Sequence, residues 1–298
     1  MKLFLRNSRP TRTATIAIAS AAAGIALAVP GLAVATSTGQ DVPAPPANPT
    51  RASQIQNIDQ VKTAIKAYYG DRVTGIDDPV PDGQDVSFAG DTATVPLHQF
   101  SDNSAYAHET EGIATDAGTY LAQQAHKKHS GTPAILFDID DTTLNTYSYE
   151  IYSNFVFNPT TNGYFVNAGS ASVFPPVPGM VDLEQKALAE GYTVFFLTGR
   201  PKNATTDQKP ATLANLRDAG YDVVDDQVYL KDASGVTQPW LSSCAPSCTT
   251  TQYKSLTRQH IESLGFDIVA NFGDQFSDLN GGFADRTFKM PNPMYFLP

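Results

Sequence analysis

The chain has 298 residues, with 20 Lys and Arg against 30 Asp and Glu, a formal charge of −10, and only two cysteines. That acidity tells against a nucleic-acid polymer or an anionic membrane as partner. It leaves room for a small phosphorylated substrate, because a bound divalent metal inverts the local field.

Residues 1–13 carry Lys2, Arg6, Arg9 and Arg12 and no acid. Residues 14–34 are small and apolar, and Ala33-Val34-Ala35 fits a small-x-small cleavage site. Residues 1–35 therefore read as a secretory signal peptide, cleaved near Ala35, which predicts a secreted protein with no stable membrane insertion. The apolar stretch is also long enough for an uncleaved anchor, and the ordered three-part pattern is what favours cleavage. Without these four basic residues the formal charge of −10 becomes −14. Residues 36–50 are rich in Pro, Ala and Thr and read as an extended linker.

Residues 51–298 read as one domain. Its first part, 51–130, is an N-terminal helical segment. Ile55, Ile58, Val61, Ile65 and Tyr68 predict a helix over 52–69, and Ile113, Ala117, Tyr120 and Leu121 another over 108–128. Between them, 71–105 read as loops with room for a hairpin. His126-Lys127-Lys128-His129 closes the second helix and complements its dipole, so these histidines need no metal.

From about residue 132 strands and helices alternate. Strands are predicted at 134–138, 194–197, 227–230 and 268–272, and helices at 181–190, 210–219 and 251–264, each helix followed by a glycine. The fold class is α/β: a Rossmann-like parallel sheet with helices on both faces. Residues 145–179 interrupt this rhythm with eight Tyr and Phe, and form a small, aromatic-rich, cap-like insert. Such a connection at a strand's carboxyl end is placed to cover a site. Most of its rings are expected to build a satellite core, with one or two reaching substrate. Cys244 and Cys248, in an exported chain, are expected to form a disulfide that pins a local turn.

Four segments carry the chemistry: Asp138 to Thr142, Thr198-Gly199-Arg200, Lys254, and Gly273 to Asp278. Asp138 and Asp140 lie at the carboxyl end of a buried strand, where ligands of open α/β sheets collect. A carboxylate can attack a phosphate monoester, and a second can protonate the leaving group and then activate water. That makes Asp138 the nucleophile and Asp140 the acid/base. Mg²⁺ would neutralise the phosphate through Asp138, Asp274 and the Asp140 main-chain carbonyl. Lys254, the Thr198 hydroxyl and the Gly199 N–H would hold the nucleophile and the phosphoryl oxygens.

The stretches FDIDDTTL (137–144), FFLTGRP (195–201), YKSLTR (253–258), NFGDQFSDL (271–279) and FKMPNPMYFLP (288–298) resemble the haloacid dehalogenase superfamily. More narrowly they resemble its acid phosphatases, which include plant acid phosphatases, vegetative storage proteins and bacterial class B and C enzymes. The resemblance implies an acid phosphatase cleaving small phosphomonoesters, nucleoside monophosphates among them, through an aspartyl-phosphate. It assigns Asp138 and Asp140 to catalysis, Thr198 and Lys254 to phosphate, Asp274 to Mg²⁺, and Asp278 to the metal or its waters. It also places Arg200 and Arg258 at substrate or behind it, and is compatible with a homodimer. Asp141 stands where this family commonly has Glu. Because some relatives have little activity, the second reading is a storage or binding protein on the same fold. Transfer to an alcohol instead of water is a third, not separable by sequence.

Overall fold

The computed structural model describes residues 48–84, 94–203, 206–232 and 236–297. The segment read as a signal peptide and most of that read as a linker lie outside the described residues. In chain order the elements are α1 (Ile58–Tyr69), β1 (Arg72–Asp77), β2 (Pro96–Gln99), α2 (Ala105–Gln124), β3 (Thr132–Phe137), α3 (Tyr147–Tyr152), α4 (Pro159–Asn167), α5 (Met180–Ala189), β4 (Thr193–Pro201), α6 (Lys209–Asp218), β5 (Val228–Lys231), α7 (Thr250–Ser263), β6 (Phe266–Gly273), α8 (Phe276–Leu279) and β7 (Arg286–Lys289).

The sheet has strand order β5-β4-β3-β6-β7 and every pairing is parallel. β3 is its centre, with Phe137 in register with Phe196 on one side and Phe272 on the other. Side chains alternate between the two faces of a strand. Ile135, Phe137, Phe196 and Phe272 pack with Leu121 of α2, Leu183 of α5 and Leu216 of α6. Ala134, Leu136, Phe195 and Leu197 pack on the opposite face with Tyr253 and Ile261 of α7. Both faces are therefore covered, which is why β3 reads as an unbroken apolar run. Burying a ring such as Phe137 contributes about 2–3 kcal/mol.

Local chemistry sets the element ends. Ser104 caps α2 by accepting from Ala107 N. Thr249 and Gln252 form a capping box on α7, which fixes where Lys254 points from its second turn. The predicted helix over 52–69 begins later, at Ile58, and its first apolar residues are exposed. Residues 71–105 do contain a strand pair, β1 with β2 antiparallel. Cys244 and Cys248 form the expected disulfide just before α7.

The insert holds two short helices, α3 and α4. Tyr147, Tyr149, Phe165 and Phe174 are buried in the main core. Tyr69 of α1 lies between Tyr106 of α2 and Tyr147 of α3, with ring centres 4.3 and 4.5 Å away. The N-terminal helices and the insert thus share one stack of rings. In this insert Phe157 alone is a strongly exposed ring, at 71%.

Candidate active site

β3 ends at Phe137, and Asp138 N donates to Phe272 O at 2.9 Å, tying the next turn to β6. Thr143 N and Leu144 N both return to Ile139 O at 2.9 Å. The resulting tight loop presents Asp138 and Asp140 at the carboxyl end of the sheet. Asp141 sits in this loop with φ of 59°, in the left-handed region that Asp tolerates better than most residues. Its carboxylate accepts from Thr146 N at 3.0 Å, Thr146 Oγ1 at 2.5 Å and the Tyr295 hydroxyl at 2.9 Å.

Lys254 is buried, and its Nζ has three neighbouring acceptors. They are Asp138 Oδ1 at 2.5 Å, Leu197 O at 2.6 Å and Asp278 Oδ1 at 2.9 Å. Asp278 Oδ2 accepts from Gln275 N at 3.0 Å. Asp274 Oδ2 accepts from Gln275 Nε2 at 2.6 Å and Asn292 Nδ2 at 2.7 Å. No described residue donates to Asp138 Oδ2 or Asp274 Oδ1, so these two oxygens are left for ligands. Gly273 permits the close approach: a Cβ there would collide with Asp278 and lie 2.9 Å from its Oδ2.

Asp140 turns to Arg200, which meets it through Nη2 at 2.6 Å and through Nε at 3.2 and 3.1 Å. This is a side-on, bidentate pair, the strong geometry for guanidinium and carboxylate. Arg200 is buried and also donates through Nη1 to Thr212 Oγ1 at 3.1 Å. Thr198 Oγ1 accepts from Arg200 N at 3.1 Å and lies 3.5 Å from Asp140 Oδ2. Gly199 is the exposed residue between them. Asp138, Asp140, Thr198, Arg200, Lys254, Asp274 and Asp278 therefore converge. Arg258 does not join them. It donates to the carbonyls of Gly282, Asp278 and Asn280 at 2.8, 2.5 and 2.5 Å, and so holds the loop after α8.

Charge is unbalanced here. Asp138, Asp274 and Asp278 bring ligand oxygens within 4.8 Å of one another, all buried, with one ammonium among them. Burial first, then Asp278, pushes the Asp138 carboxyl up to about 7 against the pull of Lys254. Burial, then Asp278 and Asp138, holds Asp274 well above the usual carboxylate range. For Lys254, burial works against the ammonium, but the two aspartates outweigh it and push its pKa up. An all-oxygen cluster short of positive charge fits a hard divalent cation. Asp138 and Asp274 have the free oxygens to hold one. Asp278 has both oxygens engaged and acts behind them.

Sequence reasoning passed over Asn292, Tyr295 and Gln275, which reach the cluster from the C-terminal stretch and from β6's end. It also passed over Glu150. That residue is buried on α3, and no described residue donates to its carboxyl group. Burial, then Asp141 and Asp140, pushes that carboxyl up to about 8.

A parallel sheet whose central strand delivers an Asp-x-Asp pair, backed by a helix lysine and an acidic pair beyond the next strand, is the haloacid dehalogenase arrangement. The chain belongs to the HAD superfamily, subfamily IIIB (Acid phosphatase), whose family model matches residues 86–298. It is 34% identical over 167 residues to a stem 28 kDa glycoprotein of Glycine max, covering 54% of this chain and 59% of that protein. It is 32% identical over 197 residues to Acid phosphatase 1 of Solanum lycopersicum, covering 64% and 69%. The class C acid phosphatase from Bacillus anthracis shares the fold, with a TM-score of 0.50 at 18% identity over 64% of this chain and 79% of that one.

Proposed function

We propose that the protein is a secreted, Mg²⁺-dependent acid phosphatase that hydrolyses small phosphomonoesters through an aspartyl-phosphate. The observation that carries this is Asp138. One of its oxygens is held by Lys254 and the other accepts nothing from a described residue, at the end of the central strand of a family fold. In the first half-reaction a carboxylate oxygen of Asp138 bonds to phosphorus, the bond to the leaving oxygen breaks, and a protonated Asp140 gives that oxygen its proton. In the second, Asp140 takes a proton from water, whose oxygen displaces Asp138 from phosphorus. Arg200 grips Asp140 at rest, so it orients the acid/base and must yield as the proton moves. Thr198 Oγ1, beside the same carboxylate, and the Gly199 N–H next to it in sequence would receive phosphoryl oxygens. Lys254 aims Asp138 and favours its ionised form against burial and Asp278. Mg²⁺, held by Asp138 and Asp274 with the Asp140 carbonyl, would offset the charge of the phosphate when bound.

Export and signal cleavage near Ala35 rest on the sequence pattern alone. Among the described residues no helix is long and apolar enough to cross a membrane. The buried state of most insert rings favours small substrates of varied leaving group over one stacked nucleobase.

The test is hydrolysis of an aryl phosphate with Mg²⁺, with EDTA, and with Asp138→Asn. Activity that needs both the metal and Asp138 is expected. A folded protein that binds phosphate but turns over nothing from acidic to neutral pH would refute the proposal and favour a storage or binding role.

A further inference from the structure

Beyond β7 the chain returns across the site instead of leaving it. Residues 290–297 carry no regular element, yet they are tied to the site's loops at several points. Met290 N donates to Gly273 O at 2.9 Å. Leu297 N donates to Gln275 Oε1 at 3.0 Å, and Tyr295 OH donates to Asp141. Asn292 makes the contact nearest the chemistry. Its Oδ1 accepts from Met294 N at 2.8 Å, which fixes the side chain in a local turn. That leaves Nδ2 aimed at Asp274 Oδ2, 2.7 Å away.

We infer that Asn292 is a positioning residue for the metal centre: it occupies one oxygen of Asp274 so that the other is presented to the cation. This rests on the proposal that Asp274 binds Mg²⁺. The physical reason is orientation. A carboxylate free to rotate offers either oxygen and loses that freedom on binding. One held through Oδ2 by both Gln275 and Asn292 has lost it already. Partners that orient a metal ligand in this way contribute about 10- to 100-fold in metal affinity. An amide suits the place, since it donates without adding a further negative charge to an acid cluster already short of positive charge. The contact spans 18 residues and crosses from the stretch after β6 to the stretch after β7, so it forms only when the sheet's edge strand is in place.

The experiment titrates the full chain, freed of metal, with MgCl₂ by calorimetry, and compares four proteins. In Asn292→Ala, Mg²⁺ binding is expected to weaken about 10- to 100-fold, with the melting temperature in EDTA close to that of the unaltered protein. Tyr295→Phe unties the same stretch at Asp141 without touching Asp274, and its Mg²⁺ affinity is expected to stay within about twofold. Asp274→Asn is expected to abolish binding. Unchanged affinity in Asn292→Ala, with binding lost in Asp274→Asn, would overturn the role of Asn292. Equal losses in Asn292→Ala and Tyr295→Phe would overturn it too, by showing that the stretch acts only as a brace. Normal Mg²⁺ binding by Asp274→Asn would instead refute the metal reading on which it rests.

Discussion

Glu150 gives the sharpest physical test. The residue is 7% exposed, and its carboxyl meets no donor among the described residues and feels the charge of Asp141 and Asp140. Burial and those neighbours raise it from 4.5 to about 8. An unfolded chain releases this proton near 4.5, whereas the folded protein keeps it to about 8. The unfolded state therefore binds fewer protons across that window, and stability falls as pH rises through it. The slope is about 1.4 kcal/mol per pH unit, the penalty about 3 kcal/mol by pH 7, and its ceiling about 5 kcal/mol above pH 8. Glu150→Gln removes the titration and keeps the shape. Urea unfolding in EDTA at pH 5, 6, 7 and 8 should show the variant gaining on the unaltered protein at each step. The constant cost of an unpaired amide shifts every point equally, so the slope is the readout. Parallel slopes for the two proteins would refute the reasoning and mean that Glu150 is ionised when folded.

Lys254→Met leaves Asp138 and Asp278 buried beside each other without their cation, and should lose about 3–5 kcal/mol at pH 8 by urea unfolding. The loss should shrink at pH 5, where Asp138, already raised to about 7, takes up a proton. Gly273→Ala drives a methyl group into Asp278. It should cost about 1–3 kcal/mol and lower kcat/KM on an aryl phosphate about 100-fold, because Asp278 can no longer hold Lys254 in place.

Sequence and structure agree where the signal is local. The apolar runs of β3, β4 and β6 marked buried parallel strands, and the motif residues follow directly from those strand ends. The glycine after α7, Gly265, takes φ of 95° as a helix terminator should. β7 was illegible because its four residues, Arg286 to Lys289, bury only Phe288 and look like a polar loop. The partners of the site residues were illegible for a different reason. Arg200 and Asp140 are 60 residues apart and Tyr295 and Asp141 are 154 apart. Nothing in the spacing of either pair says that the sheet brings them together. Arg258 shares a helix face with Lys254 and so reads as a second site cation. Only the position of the 278–282 carbonyls shows what it serves.

The stack of Tyr106, Tyr69 and Tyr147 separates two boundaries that are easily equated. The region of family likeness starts at residue 86. The cooperative folding unit starts earlier, because Tyr69 is the middle ring, fully buried, and belongs to α1. Tyr147, on its other side, opens the helix that directly follows Thr146, the residue that pins Asp141. A fragment trimmed to the conventional domain limits would keep every residue of the reaction and lose the ring that supports their loop. Its edges for expression, grafting or recombination therefore fall before Ile58.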